Sequence, residues 1–199
     1  MFIFSIFNKF KTHKWKKLTK EQKKLTLQKV LNKLCKNTNQ KPIKIKLSNQ
    51  LENNIYGKYI SAPKEEIIIN EYLAQTNQFV ALETLYHEFR HSYQKHIIET
   101  NTSFWNFKVK KWKRNYLGYI SATKSDFEIY NIQPIEKDAK NFAYKKLKKH
   151  KFRFRKEPNY LTHLTTLKEN INNSEKEAKQ KYGIFYKIKL HMKIRKNQK

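Results

Sequence analysis

The chain has 199 residues and carries 44 Lys+Arg against 16 Asp+Glu, a formal charge of +28. Hydrophobic residues at 38%, with 14% aromatic, are enough for a modest core, which excludes a fully disordered polyelectrolyte. One Cys excludes a disulfide framework or a cysteine-rich zinc finger, and three Gly exclude a glycine-loop nucleotide site.

The bases are unevenly placed. Residues 1–50 hold 14 basic and 1 acidic side chains, whereas residues 51–100 hold 4 and 7. Such an excess suits DNA or another polyanion as partner. Of the 44 bases, however, 39 are Lys, which is also what compositional drift produces.

The N-terminal run Met1–Phe7 is apolar but too short to span a bilayer. Lys9 and Lys11 follow it, the reverse of the charge order in a signal peptide. A cytoplasmic protein with no stable membrane insertion is expected. Thr19 and Gln22 form a capping box for a helix reaching about Asn37, with Leu25, Leu27, Val30, Leu31 and Leu34 as its apolar stripe. Alternation in Ile43–Leu47 predicts a half-buried strand, and Ile55–Ile60 and Glu66–Asn70 predict two more, joined by a turn. The expected fold class is α+β, with a small antiparallel sheet.

A long helix is predicted from Gln78 to Ile98. At 100° per residue, Leu82, Leu85, Tyr86, Phe89, Tyr93 and Ile97 share one face. Thr84, His87, Glu88, His91 and Lys95 share the opposite one. This helix contains His87-Glu88-Phe89-Arg90-His91, an H-E-x-x-H pattern. Positions i and i+4 stack one turn apart, so both imidazoles reach one ion, and Glu88 lies beside them to take a proton from water. With 7 His and 14 Glu, chance predicts about 0.017 such patterns in this chain.

A Zn²⁺ site of one ion per chain needs a third protein ligand. His96 follows His91 by five residues and projects onto the apolar face, so it reads as a packing residue. The stronger candidate is Glu136, two residues after Pro134 at a predicted helix start. Ala139 and Ala143 flank it and permit close helix approach, and Phe142 and Leu147 anchor the helix. Asp138 points about 200° away from Glu136, so one of the two serves.

An H-E-x-x-H helix after small strands, then Glu136, Ala139, Phe142 and Ala143 in an E-x-x-A-x-x-F-A helix, resembles the ImmA/IrrE-type metallopeptidases over roughly residues 43–149. The resemblance implies a zincin-like, gluzincin-like domain with His87, His91 and Glu136 on zinc and Glu88 as general base. It also implies a protein substrate of the DNA-associated regulator kind found on mobile elements. Arg90 stands where many members have Gly, and the 44 residues between His91 and Glu136 imply an insertion. The domain would span 41–150, between a basic helical segment at 1–40 and a basic helical extension at 151–199 with a partly disordered end.

Within the insertion, residues 103–116 interleave aromatics with bases. This pattern fits either an amphipathic helix packing its aromatics or nucleic-acid contacts by Lys108, Lys110, Lys111, Lys113 and Arg114. Tyr116, Tyr119 and Tyr130 are candidates to stabilise an oxyanion. Two other readings fit the same residues. One is a SprT-type DNA-associated protease, which calls for a third His. The other is a non-catalytic basic nucleic-acid-binding protein on a degenerate zincin scaffold.

Overall fold

Helix α1 (Thr12–Trp15) sets the N-terminal segment against the body of the protein. The computed structural model describes residues 6–52, 55–61, 63–100, 106–122 and 126–198. The Trp15 indole stacks on Phe10 with centroids 4.9 Å apart and donates from Nε1 to the Ala74 carbonyl at 3.0 Å. Phe7 and Phe10 are buried too, so the described part of the apolar N-terminus packs onto the core. Residues 1–5 of that run lie outside the described residues. Among the described residues no helix is long and apolar enough to cross a membrane.

Helix α2 (Lys20–Asn37) starts at the predicted capping box. The Thr19 hydroxyl accepts from Gln22 N, and the Gln22 side chain accepts from Thr19 N. Leu27, Val30, Leu31 and Leu34 are buried. Leu25, expected in that stripe, is 57% exposed. It precedes Leu27 by two residues, about 200° around the helix, and so faces water.

Three strands follow: β1 (Lys44–Ser48), β2 (Gly57–Ile60) and β3 (Glu66–Asn70). Their order is β1-β3-β2, with β2 antiparallel and β1 parallel to β3. The expected antiparallel sheet is therefore mixed. The β2–β3 hairpin is antiparallel as the turn required. The most apolar strand, β3, takes the centre, where Ile67 and Ile69 are fully buried, and β1 adds to its far side in the parallel direction.

Asn70 caps the short α3 (Glu71–Thr76), its side chain accepting from Leu73 N. Asn77 Oδ1 accepts from Phe79 N and Val80 N at the start of α4 (Gln78–Thr100). The predicted apolar face of α4 is in the core: Leu82, Leu85, Tyr86 and Phe89 are buried. Its polar face is covered as well. Thr84 and Glu88 are buried beneath β2, at Gly57. A Cβ at Gly57 would lie 2.4 Å from Thr84 Cγ2 and 2.9 Å from the Ile68 carbonyl oxygen. Only glycine lets β2 approach α4 this closely.

The remaining helices are α5 (Phe107–Leu117), α6 (Phe127–Ile132), α7 (Pro134–Lys148), α8 (Lys151–Phe154), α9 (Tyr160–Tyr182) and α10 (Tyr186–Lys196). One hydrophobic cluster runs from Phe7 through β1, β3, α4 and α7 to Ile171. The three segments separated in the sequence thus share a core. The C-terminal run, expected to be partly disordered, is helical through Lys196. Leu190 and Ile194, four residues apart, bury against Ile120, Ile129 and Ile132. Gly118 accommodates this packing, since a Cβ there would lie 2.0 Å from the Ile194 carbonyl oxygen.

Two outcomes follow from this packing. Gly57→Ala is expected to lower the thermal unfolding midpoint by several degrees, because rigid backbone stands at the Cβ position. His150 sits 3.3 Å from the Tyr86 hydroxyl, and burial, then Arg153, Lys146 and Lys149, pull its pKa down to about 4. Its folded pKa lies below the unfolded value near 6.5, so stability is full above about pH 6.5 and falls as pH drops towards about 4. Urea midpoints at pH 7 and pH 5 should differ less in His150→Gln than in the parent chain.

Candidate metal centre

Two helices build the site. On α4, His87 and His91 project one turn apart, with ring centroids 4.7 Å and Nε2 atoms 3.0 Å from each other. On α7, Pro134 occupies the first turn and places Glu136 there as well. The glutamate is completely buried. Its Oε2 lies 3.3 Å from His87 Nε2, and its Oε1 3.3 Å from His91 Nε2. Ala139 and Ala143, buried on the same helix, let α7 approach α4 closely, and Phe142 meets Phe89 at 6.0 Å.

Oxygen Oε1 of Glu136 accepts from the Tyr119 hydroxyl at 2.9 Å. Oxygen Oε2 has no hydrogen-bond partner, although it faces His87. A buried, ionised carboxylate with a bare oxygen beside two imidazole nitrogens calls for positive charge in the space between them. These three donors converge within 4.8 Å and together could hold a metal ion.

The electrostatics agree. Burial opposes ionisation of Glu136, but His91 and His87 outweigh it and hold the carboxyl well below its usual range. For His91, burial works against the imidazolium, while Glu136 prevails and raises the pKa to about 9. Burial first, then the Glu136 charge, pushes the Tyr119 and Tyr130 phenols up, so both remain protonated donors.

An outer layer fixes the ligands. His91 Nδ1 lies 3.0 Å from Gln94 Oε1. The Gln94 amide cannot turn over, because its Nε2 donates to the Ile135 carbonyl and to Asp138 Oδ2, each at 3.0 Å. His91 Nδ1 must therefore donate, so a metal ion at this site would take Nε2 in place of its proton. Asp138 in turn accepts from Arg90 Nε at 2.6 Å and pairs with Lys108 at 2.9 Å. Burial of Asp138 is outweighed first by Arg90, which keeps the carboxylate ionised. The Arg90 guanidinium packs 4.7 Å from the Tyr93 ring, 5.1 Å from Trp112 and 5.0 Å from Phe142. It joins α4, α5 and α7 in one contact.

Glu88 is 8% exposed, and its Oε2 accepts from the Tyr59 backbone N–H of β2 at 2.9 Å. The sheet thus holds the carboxylate next to the paired histidines.

The other candidates fall outside the cluster. Tyr119 donates to Glu136 and Tyr130 stands beside it, whereas Tyr116 makes no hydrogen bond to the cluster among the described residues. Two further acids of α4 are engaged elsewhere, Glu83 with His163 at 2.8 Å and Glu99 with Lys95 at 2.6 Å. On α5, Trp112 and Val109 are buried against Ile135, so the aromatic interleaving there serves packing. Lys110, Lys111, Lys113 and Arg114 are exposed, and Lys108 is committed to Asp138. Residues 103–105 of that segment lie outside the described residues. Sequence reasoning missed Gln94 and the support role of Asp138. The i, i+3 spacing of Gln94 from His91 was the available signal.

Comparison with protein-family models, with curated proteins and with solved structures gave no match.

Gln94→Leu removes the acceptor for His91 Nδ1. It is expected to weaken metal binding about 10- to 100-fold in a chelator competition while leaving the unfolding midpoint of chelated protein within a few degrees.

Proposed function

We propose that the protein is a zinc-dependent metallopeptidase of the gluzincin kind, related to the ImmA/IrrE-type enzymes its motifs resemble. The observation that carries this reading is the convergence of His87, His91 and Glu136 around an unpartnered, fully buried carboxylate oxygen, with Glu88 alongside. Tetrahedral ligands about 2.0 Å from zinc are about 3.3 Å apart. Here the two imidazole nitrogens are 3.0 Å apart, each lies 3.3 Å from a different Glu136 oxygen, and one donor atom from each residue falls within 4.8 Å of the others. Two imidazoles and one carboxylate also match the donor set of catalytic zinc, which keeps a fourth position for water or substrate. A third histidine, which a SprT-type protease calls for, is not in this cluster.

Zinc bound here would supply Lewis acidity, acidifying a water molecule and polarising a peptide carbonyl. The protein's own groups do the rest. Glu88, anchored through Oε2 by the Tyr59 N–H, accepts the proton of the attacking water and delivers it to the leaving amine. Gln94 holds His91 in the tautomer that presents Nε2. Tyr119 spends its hydroxyl proton on Glu136 and so steadies that carboxylate, and Tyr130, protonated beside it, is the candidate donor to the negative charge on the carbonyl oxygen. The substrate class is protein, and a DNA-associated regulator fits the +28 charge of the chain.

The test is metal content by elemental analysis followed by proteolysis. Wild type is expected to carry about one zinc per chain after reconstitution, and His87→Ala and Glu136→Ala to carry little. Glu88→Gln should keep the zinc and lose activity by a factor of about 100 or more. Wild type that holds no zinc would end the peptidase reading and leave a non-catalytic basic protein on this scaffold.

A further inference from the structure

The corner between α7 and α8 is a second concentration of chemistry, remote in function from the metal centre. Eight of the twelve residues 145–156 are Lys or Arg, and none is acidic. Two of the chain's five arginines, Arg153 and Arg155, fall here. The nearest carboxylate in the chain, Glu157, is turned away and accepts from Thr12 N at 2.8 Å. The positive charges therefore act on one another. Burial, then Lys149, Arg90 and Lys33, pulls the Lys146 pKa down.

An aromatic stands in this field. Phe152 is 79% exposed, the highest value among the exposed large apolar side chains described. Its neighbour Phe154 is fully buried, so α8 packs through Phe154 and leaves Phe152 in water. The Arg155 guanidinium lies over the Phe152 ring, 4.5 Å from its centroid. Lys148, Lys149, Lys151 and Lys156, each within four residues of Phe152 along the chain, are exposed. An exposed ring under a guanidinium, with exposed ammonium groups close along the chain, combines a stacking platform with an electrostatic track. Helix α5 also exposes an aromatic, Phe107, but the cation over it is the Lys110 ammonium at 5.9 Å rather than a guanidinium, and its Trp112 is buried.

We propose that the α7–α8 corner binds single-stranded nucleic acid, with a base stacked on Phe152 and Arg155 and the phosphates held by the surrounding lysines. Duplex satisfies the lysines equally well but hides its base faces, so the exposed ring selects for single strands. The assignment does not depend on the peptidase reading.

The test uses the full chain and fluorescein-labelled dT15 and rU15, with a duplex of equal length and heparin as controls, titrated by anisotropy at several salt concentrations. Phe152→Ala is expected to weaken binding of the single strands about tenfold and to leave duplex and heparin affinity unchanged. A Lys148→Glu/Lys149→Glu variant should flatten the log–log salt slope for dT15 by about 1.4. Tighter binding of dT15 or of rU15 assigns the sugar, and either supports the site. Unchanged binding by Phe152→Ala, or an equal loss on heparin and duplex, would overturn the proposal. So would loss of dT15 binding in Glu136→Ala, which would place the strand at the metal centre instead. Because Phe152 and both lysines are exposed, urea midpoints of these variants should match wild type.

Discussion

A carboxylate with no exposed surface, held between two histidines, is the interaction on which the rest of this structure depends. Burying an ionised carboxylate is costly unless positive charge meets it. Glu136 is ionised and wholly buried, and its Oε2 lacks a hydrogen bond. The surrounding elements are arranged to make that tolerable. Alanines at 139 and 143 bring α7 against α4, the Tyr119 hydroxyl satisfies one oxygen, and His87 and His91 face the other side of the gap. The three donors together could hold a metal ion, which would complete the charge balance.

Support reaches the site from several directions. The sheet contributes through its edge: Gly57 allows β2 to press on α4, and the Tyr59 N–H then fixes Glu88. Helix α5 contributes Trp112, which with Tyr93 and Phe142 packs around the Arg90 guanidinium of α4 while Arg90 holds Asp138. Asp138 steadies Gln94, and Gln94 steadies His91. The C-terminal helix contributes as well. Asn197 donates to the Tyr119 carbonyl, and Gly118 lets the backbone at Ile194 pack beside it. A phenol that bonds a site ligand is thus positioned by residues 78 places further along the chain.

The basic excess has two different fates. Many lysines lie over aromatic rings or pair with nearby carboxylates, as Lys108 does with Asp138 and Lys181 with Glu128. At the α7–α8 corner the bases lie over rings, Lys146 over Phe142, Lys148 over Tyr144 and Arg155 over Phe152, and neighbouring cations hold the Lys146 pKa down. Net charge alone cannot distinguish these cases, because what matters is whether each ammonium finds a partner in space.

Local rules made much of this legible in advance. The capping box at Thr19, the strand alternation, the Pro134 helix start and the i, i+4 histidines all depend on spacings within one turn or one strand. Glu136 was legible because a proline, a first-turn acid and small residues fall within ten positions. Sheet direction was not, since it depends on which strand takes the centre, and β3 displaced the simple meander. Nor was the burial of the polar face of α4, which β2 covers only because Gly57 has no side chain. The sequence by itself determined which side chains form the candidate metal-binding cluster, because i, i+4 spacing on a helix is a local property. Tertiary structure alone decided that Gln94, Asp138, Arg90 and Tyr119 support them, and that Phe152 stands in water. Hydrogen-bond partners 44, 48 and 78 residues apart, and the exposure of a single ring, follow from how the helices pack.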